Sequence, residues 1–256
     1  MRRRDTLEDT VTLRALLAFF TALPLPGAPL AEAARRVHLL PLVGLVTGLP
    51  GALILFSGVL PPAVAATLAL GAVLLAAGLH HADGVLDVGD ALMAQGSQDR
   101  RREVLKDARV GIGGLGALFL VYAPALSALA ALAGASPLRA ALAILAAEVA
   151  VRSAMTLILL FGRPAEEGSS AVPFVRALKG GSRRYAALLL ALTIPPLVAL
   201  LLGWDASLAA LLTTPVVVLS ALWVANRTFG GIGGDVSGAT GEMTRTVLLV
   251  ALSGLL

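Results

Sequence analysis

Residues 111–134, GIGGLGALFLVYAPALSALAALAG, and 138–161, LRAALAILAAEVAVRSAMTLILLF, decide the fold class. Each run is as long as the roughly 20 residues that an α-helix needs to cross a hydrocarbon core about 30 Å thick. Only Arg139, Glu148 and Arg152 bring charge into them. A segment surrounded by lipid must satisfy its own backbone groups, so both runs read as helices. Working outward, further apolar runs occupy 38–60, 62–80, 185–202 and 206–225. A last apolar piece, 244–256, is too short to cross alone unless its helix begins earlier, near Gly241. The expected fold is an all-α polytopic transmembrane bundle of six to seven spans, one integral membrane domain over residues 1–256. At the front, Arg2–Arg4 and the apolar Leu16–Leu23 have the outline of a secretory leader, but Asp5, Glu8 and Asp9 dilute the basic region. A short amphipathic or re-entrant segment stopped by Pro24 and Pro26 is expected instead.

Composition agrees. The 256 residues are 57% hydrophobic and 14% charged, too little charge to keep a chain of this length dissolved. The absence of cysteine excludes disulfides, thiolate metal sites and cysteine nucleophiles. A net charge of +4 and a pI near 10.3 would suit nucleic acid, but the positions of the charges give another reading. The connections after Leu60, Gly134 and Leu202 are short and hold one basic residue, Arg139. The longer ones hold Arg100–Arg102, Lys106 and Arg109, then Arg163 to Arg184, then Arg227 and Arg245. All the long loops then share one side, which the positive-inside rule places in the cytoplasm. The expected location is the bacterial cytoplasmic (inner) membrane with the active face cytoplasmic.

Within the spans, Glu148 and Arg152 stand four apart and are expected to pair on one helix. Pro195 and Pro196 remove two donors and are expected to kink or break the fifth span.

The chemistry concentrates just past the second span, in GLHHADGVLDVGDAL, residues 78–92. Asp83, Asp87 and Asp90 recur at i, i+4 and i+7, which on a continuing helix places them within an arc of about 60°. Three carboxylates on one stripe repel unless a cation lies among them, and hard oxygen ligands suit Mg²⁺. The residues between the acids stay apolar, so this is a packed helix and not a free loop. Next come Arg100–Arg102, Lys106 and Arg109, which could grip phosphates. Metal beside guanidinium is equipment for phosphoryl transfer. A second candidate is NRTFGGIGGDVSGATGE, residues 226–242, whose clustered glycines permit close backbone approach to a ligand. Its Asp235 and Glu242 would share a face if the segment is helical.

At these residues the chain resembles the cobalamin synthase (adenosylcobinamide-GDP ribazoletransferase) family. The resemblance is carried by Phe20-Thr-Ala-Leu-Pro-Leu-Pro26, Pro41-Leu-Val-Gly44, His-x-Asp-Gly-x-x-Asp-x-x-Asp at His81 to Asp90, Lys106-Asp-Ala-Arg-Val-Gly111 and Gly230-Gly-Ile-Gly-Gly-Asp-Val-Ser-Gly-Ala239. Ala91 and Gly233 depart from that pattern, where glycine and threonine are expected. The resemblance implies a membrane transferase joining adenosylcobinamide-GDP to α-ribazole or its 5′-phosphate with release of GMP. It implies Mg²⁺ on Asp83, Asp87 and Asp90, with Asp235 completing the site. Lys106, Arg109 and Arg102 would bind phosphate, and His81 or an aspartate would accept the hydroxyl proton. The implied partners are the two small-molecule substrates and the lipid bilayer, with room for a homo-oligomer and none for nucleic acid. Two rival readings are a CDP-alcohol phosphotransferase-like enzyme, whose motif fails here at His80 and Leu86-Asp87, and an ion-coupled transporter using Glu148 and Arg152.

Overall fold

A computed structural model describes residues 14–27 and 29–255; the basic run Arg2–Arg4 and the acids Asp5, Glu8 and Asp9 lie outside them. In chain order the described helices are α1 over residues 14–20, α2 (Leu30–Arg35), α3 (Leu40–Phe56), α4 (Pro62–Ala76), α5 (His80–Met93), α6 (Gln98–Val104), α7 (Ile112–Ala135), α8 (Pro137–Phe161), α9 (Val172–Ala177), α10 (Gly181–Ala199), α11 (Trp204–Thr228) and α12 (Gly234–Leu255). No strand occurs among the described residues. Five helical stretches are long and apolar enough to cross a membrane: Val37–Phe56, Ile112–Ala135, Pro137–Phe161, Gly181–Leu202 and Trp204–Thr228. The multi-pass all-α bundle expected from the apolar runs is what forms.

Helix α8 is its axis, buried along nearly its whole length. Ser136 caps it, its hydroxyl accepting from the Arg139 N–H at 3.3 Å, and Pro137 opens its first turn. Alanines along α8 let neighbouring backbones come close. On α3, a Cβ on Gly44 would lie 2.5 Å from the Glu148 carbonyl oxygen, so only hydrogen fits there. In lipid, where apolar surface has no water to escape, such close packing is what holds helices together. Large side chains such as Phe119, Leu189 and Leu219 point outward instead, as a lipid-facing surface requires.

The second apolar run differs from expectation. Its helix α4 ends at Ala76 after 15 residues, and α5 sets off at 95° to it. Gly78 and Leu79 make the turn with φ of +82° and +61°. The turn carries α5 off the line of the crossing helices.

The two ends of the bundle sort as the charges foretold. Short connections meet at one end, where Gly58 abuts Pro137 and Gly134 abuts Pro62. The long loops meet at the other. There Gln98 Nε2 donates to the Arg227 carbonyl at 2.9 Å and Arg102 Nη1 to the Phe229 carbonyl at 3.1 Å. Ile232 N–H donates to Arg163 O at 2.8 Å and Ala165 N–H to Ile232 O at 3.0 Å, stitching the glycine-rich segment to the loop after α8.

Three further expectations are corrected. Helix α12 starts at Gly234 and runs 22 residues, about 33 Å; its Thr240, Glu242, Thr244 and Arg245 are buried and mask it from a hydropathy reading. Arg245 is therefore no loop residue. It binds Glu148 and Glu242, while Arg152 turns to His81, so the Glu148–Arg152 pair does not form. Helix α10 runs unbroken through Pro195 and Pro196 to Ala199 although their missing N–H groups remove two helical donors; Ser207 Oγ donates to the Pro196 carbonyl at 3.0 Å.

Candidate active site

Helix α5 is clamped between two others by glycine. A Cβ on Gly84 would meet the Asp235 carbonyl oxygen at 2.7 Å, and one on Gly238 would meet the His81 Cα at 3.1 Å, so α5 and α12 touch backbone to backbone. On its other flank a Cβ on Gly89 would stand 2.8 Å from the Gly113 carbonyl oxygen of α7. The glycines between the acids thus set their depth. Asp83 stays exposed, Asp87 is half-buried, and Asp235 joins them from α12.

The carboxylates share one electrostatic field. Burial first, then the charges of Asp83, Asp235 and Asp90, push the Asp87 carboxyl up to about 6. Asp90 has a second engagement. Its Oδ2 accepts from the Gly111 N–H at 2.7 Å and its Oδ1 from the Gly114 N–H at 2.8 Å, capping α7 from a distance. Of the metal set expected from sequence, Asp83, Asp87 and Asp235 have no such tie, whereas both Asp90 oxygens are occupied by α7.

His81 also departs from expectation. It is buried, and Arg152 Nη1 lies 3.2 Å from its Nε2 and 3.3 Å from its Nδ1. Behind it Glu242 Oε1 stands 3.9 Å away, and Tyr122 donates to Glu242 at 2.8 Å. Thr47 donates to Glu148 at 3.1 Å, completing a buried network that joins α3, α5, α7, α8 and α12.

Among the described residues no three His, Asp or Glu side chains stand close enough to enclose a metal ion. Mg²⁺ does not require that, since it usually takes one or two carboxylates and fills its shell with water and substrate phosphate. Repulsion centred on Asp87 is what such an ion relieves, so the oxygen donors present fit it.

Two cavities open beside Asp235, which lines both. One, of about 340 Å³, has Arg102 and Lys106 on one wall and the glycines of residues 231–234 on another. Glu166 holds the two cations together, 2.5 Å from Lys106 Nζ and 3.7 Å from Arg102 Nε, and the Lys106 hydrogen bond keeps its carboxyl below its ordinary value. The other, of about 420 Å³, is lined by Phe19, Phe20 and Phe174 with His81 and Ser237. Arg109 reaches neither: it is exposed and clasps Asp107 at 2.7 Å. Of the three basic residues expected to bind phosphate, Arg102 and Lys106 line the smaller cavity and Arg109 does not. Sequence reading missed Glu166, Ser170 and the three phenylalanines. The first two lie in an irregular loop with no spacing signal, and Phe174 lies more than 150 residues along the chain from Phe19 and Phe20.

Comparison with known proteins now bears on this geometry. The family model described as cobalamin-5-phosphate synthase matches residues 12–253. The chain belongs to that family. Among its relatives, the adenosylcobinamide-GDP ribazoletransferase of Halorubrum lacusprofundi is 38% identical over 93% of this chain and 95% of its own. Proteins of the same name from Azorhizobium caulinodans and Pyrobaculum islandicum are each 33% identical, covering 98% and 94% of this chain and 97% and 94% of their own. No solved structure matches. The match to the cobalamin-5-phosphate synthase family runs from α1 into α12, so it takes in both cavities and every residue assigned to the site. The resemblance drawn from the His81–Asp90 and Gly230–Ala239 motifs is confirmed.

Proposed function

We propose that this chain is an adenosylcobinamide-GDP ribazoletransferase, joining that substrate to α-ribazole or its 5′-phosphate and releasing GMP. The observation that carries the reading is Asp235, which stands between a basic cavity and an aromatic one while sharing the field of Asp83 and Asp87. A diphosphate held against Arg102 and Lys106 would present its corrinoid-side phosphorus toward that aspartate. A ribose hydroxyl oxygen attacks the phosphorus, the bond to the bridging oxygen breaks, and its electron pair leaves on GMP. Arg102 and Lys106 neutralise the charge gathering on the departing phosphate. The hydroxyl proton passes to Asp235, which we favour over His81 because both ring nitrogens of His81 face Arg152. Mg²⁺ held by Asp83 and Asp87, with water and substrate phosphate filling its shell, would draw charge from the phosphate oxygens. Asp90 serves by fixing α5 to α7. The end bearing the basic loops faces the cytoplasm by the positive-inside rule, across the cytoplasmic membrane.

Nothing favours the phospholipid-enzyme reading, and of the two charges a transporter would use, Glu148 is locked to Arg245 and Arg152 is turned to His81. Purified protein given Mg²⁺, adenosylcobinamide-GDP and α-ribazole is expected to release GMP, and Asp87→Asn to release none while still inserting and purifying normally. Turnover by that variant at the wild-type rate would remove the metal role. Stability supplies a second readout. A carboxyl raised to about 6 opposes folding above that value, and the penalty vanishes below the unfolded value near 4. At about pH 7.5, where Asp87 is ionised, Mg²⁺ is expected to raise the Tm of the wild type more than that of Asp87→Asn.

A further inference from the structure

The two cavities flanking Asp235 differ in chemistry, and the difference assigns the substrates. The cavity with Arg102 and Lys106 is cationic and walled by glycine backbone, which suits the phosphates of adenosylcobinamide-GDP. The other holds no arginine or lysine in its lining. Phe19, Phe20 and Phe174 form a contiguous aromatic cluster with ring centroids 4.9–5.5 Å apart. Phe20 and Phe174 are core residues, whereas Phe19 is 41% exposed and completes the wall as a partly uncovered ring. Ser237 adds a polar point: its hydroxyl is buried, has no hydrogen-bond partner, and lines the same space. A buried hydroxyl without a partner beside an aromatic wall suits a flat, uncharged heterocycle carrying one hydrogen-bonding position. Its volume of about 420 Å³ lies within the range of small-molecule sites.

Resting on the proposed reaction, we infer that the aromatic cavity is the acceptor subsite, in which the benzimidazole ring of α-ribazole lies against Phe19 and Phe174 and Ser237 takes a polar atom of the nucleoside. Guanine, with polar groups along two edges, would leave most of them unpaired against this wall. The ribose then extends toward Asp235, where the hydroxyl to be deprotonated meets the diphosphate in the basic cavity.

The test separates the two substrates. Phe19→Ala removes the partly exposed ring without opening the core, and is expected to raise KM for α-ribazole about tenfold, the usual loss of one stacking partner. KM for adenosylcobinamide-GDP should stay within about twofold. Lys106→Ala should show the opposite pattern. Binding of α-ribazole to detergent-purified protein, measured calorimetrically without the corrinoid, should weaken by the same factor in Phe19→Ala and also in Ser237→Ala. If wild type turns over and binds α-ribazole but both variants bind it unchanged, or if Phe19→Ala moves only KM for adenosylcobinamide-GDP, the subsite assignment is overturned and the reaction stands. If the wild type releases no GMP from the two substrates, the reaction itself is wrong and the subsite falls with it.

Discussion

At the scale of single residues, the site depends on atoms that are missing. Gly84 lets Asp235 approach because it offers no Cβ, and the atom an alanine would add falls 2.7 Å from the Asp235 carbonyl oxygen. Backbone cannot yield as a side-chain tip can, so α5 or α12 would have to move. Gly84→Ala is expected to cost about 1–3 kcal/mol and to lower GMP release, read by thermal unfolding in detergent and by turnover. Gly116→Ala is the control, since nothing lies within 4 Å of its added carbon. Equal behaviour of the two variants would show that the crossing is looser than drawn. Here the sequence is only partly legible. The aspartates at i, i+4 and i+7 announce a charged face, but nothing in their spacing shows that Asp90 turns to the N–H groups of Gly111 and Gly114. That contact depends on where α7 begins in space.

Among elements, the apolar runs declared themselves because lipid asks for about 20 of them in succession. Two features escaped for opposite reasons. The 95° turn before α5 rests on Leu79 in a left-handed conformation, which leucine does not advertise; Gly78 alone hints at it. Hydropathy gives α12 only as a short apolar tail, or a helix starting near Gly241, because its polar half faces other helices instead of lipid. Hydropathy reports composition and not what a residue touches. Asp90 shows how elements are joined: it sits on α5 yet caps α7, where negative charge also complements the helix dipole. Asp90→Ala is expected to cost about 1 kcal/mol, and Asp90→Asn less, since it keeps one acceptor. Comparison of thermal unfolding midpoints checks the order; identical midpoints for wild type and Asp90→Ala would refute the cap.

For the whole molecule, the buried charges decide how the helices are registered. Glu148, Glu242 and Arg245 are fully buried and mutually paired, with Thr47 and Tyr122 supplying further hydrogen bonds. The i, i+4 rule favoured Glu148 with Arg152 because it considers one helix in isolation; in the assembled bundle a guanidinium from another helix is better placed. With the buried Arg152 beside them the two acids and two guanidiniums balance, so Glu148→Gln leaves one buried positive charge uncompensated and is expected to destabilise the protein by about 3–5 kcal/mol. Combining it with Arg245→Gln should restore part of that loss, and a double variant no more stable than the single would break the argument. Unfolding by heat in detergent, followed by circular dichroism, measures all three.

The partnership of Glu148 with Arg245 also bears on biogenesis. Their positions differ by 97 residues, so the acid leaves the ribosome long before its cation does. At a translation rate of about 5–20 residues per second, α8 spends roughly five to twenty seconds as a newly made segment whose carboxylate has only Arg152, one turn on, within reach. A translocon scale prices such a group at about 2.5–3.5 kcal/mol near mid-membrane, a burden the many leucines and alanines around it can carry. Catalytic competence is consequently a late event in synthesis, because the helix that brings the missing guanidinium is the same one that brings Asp235.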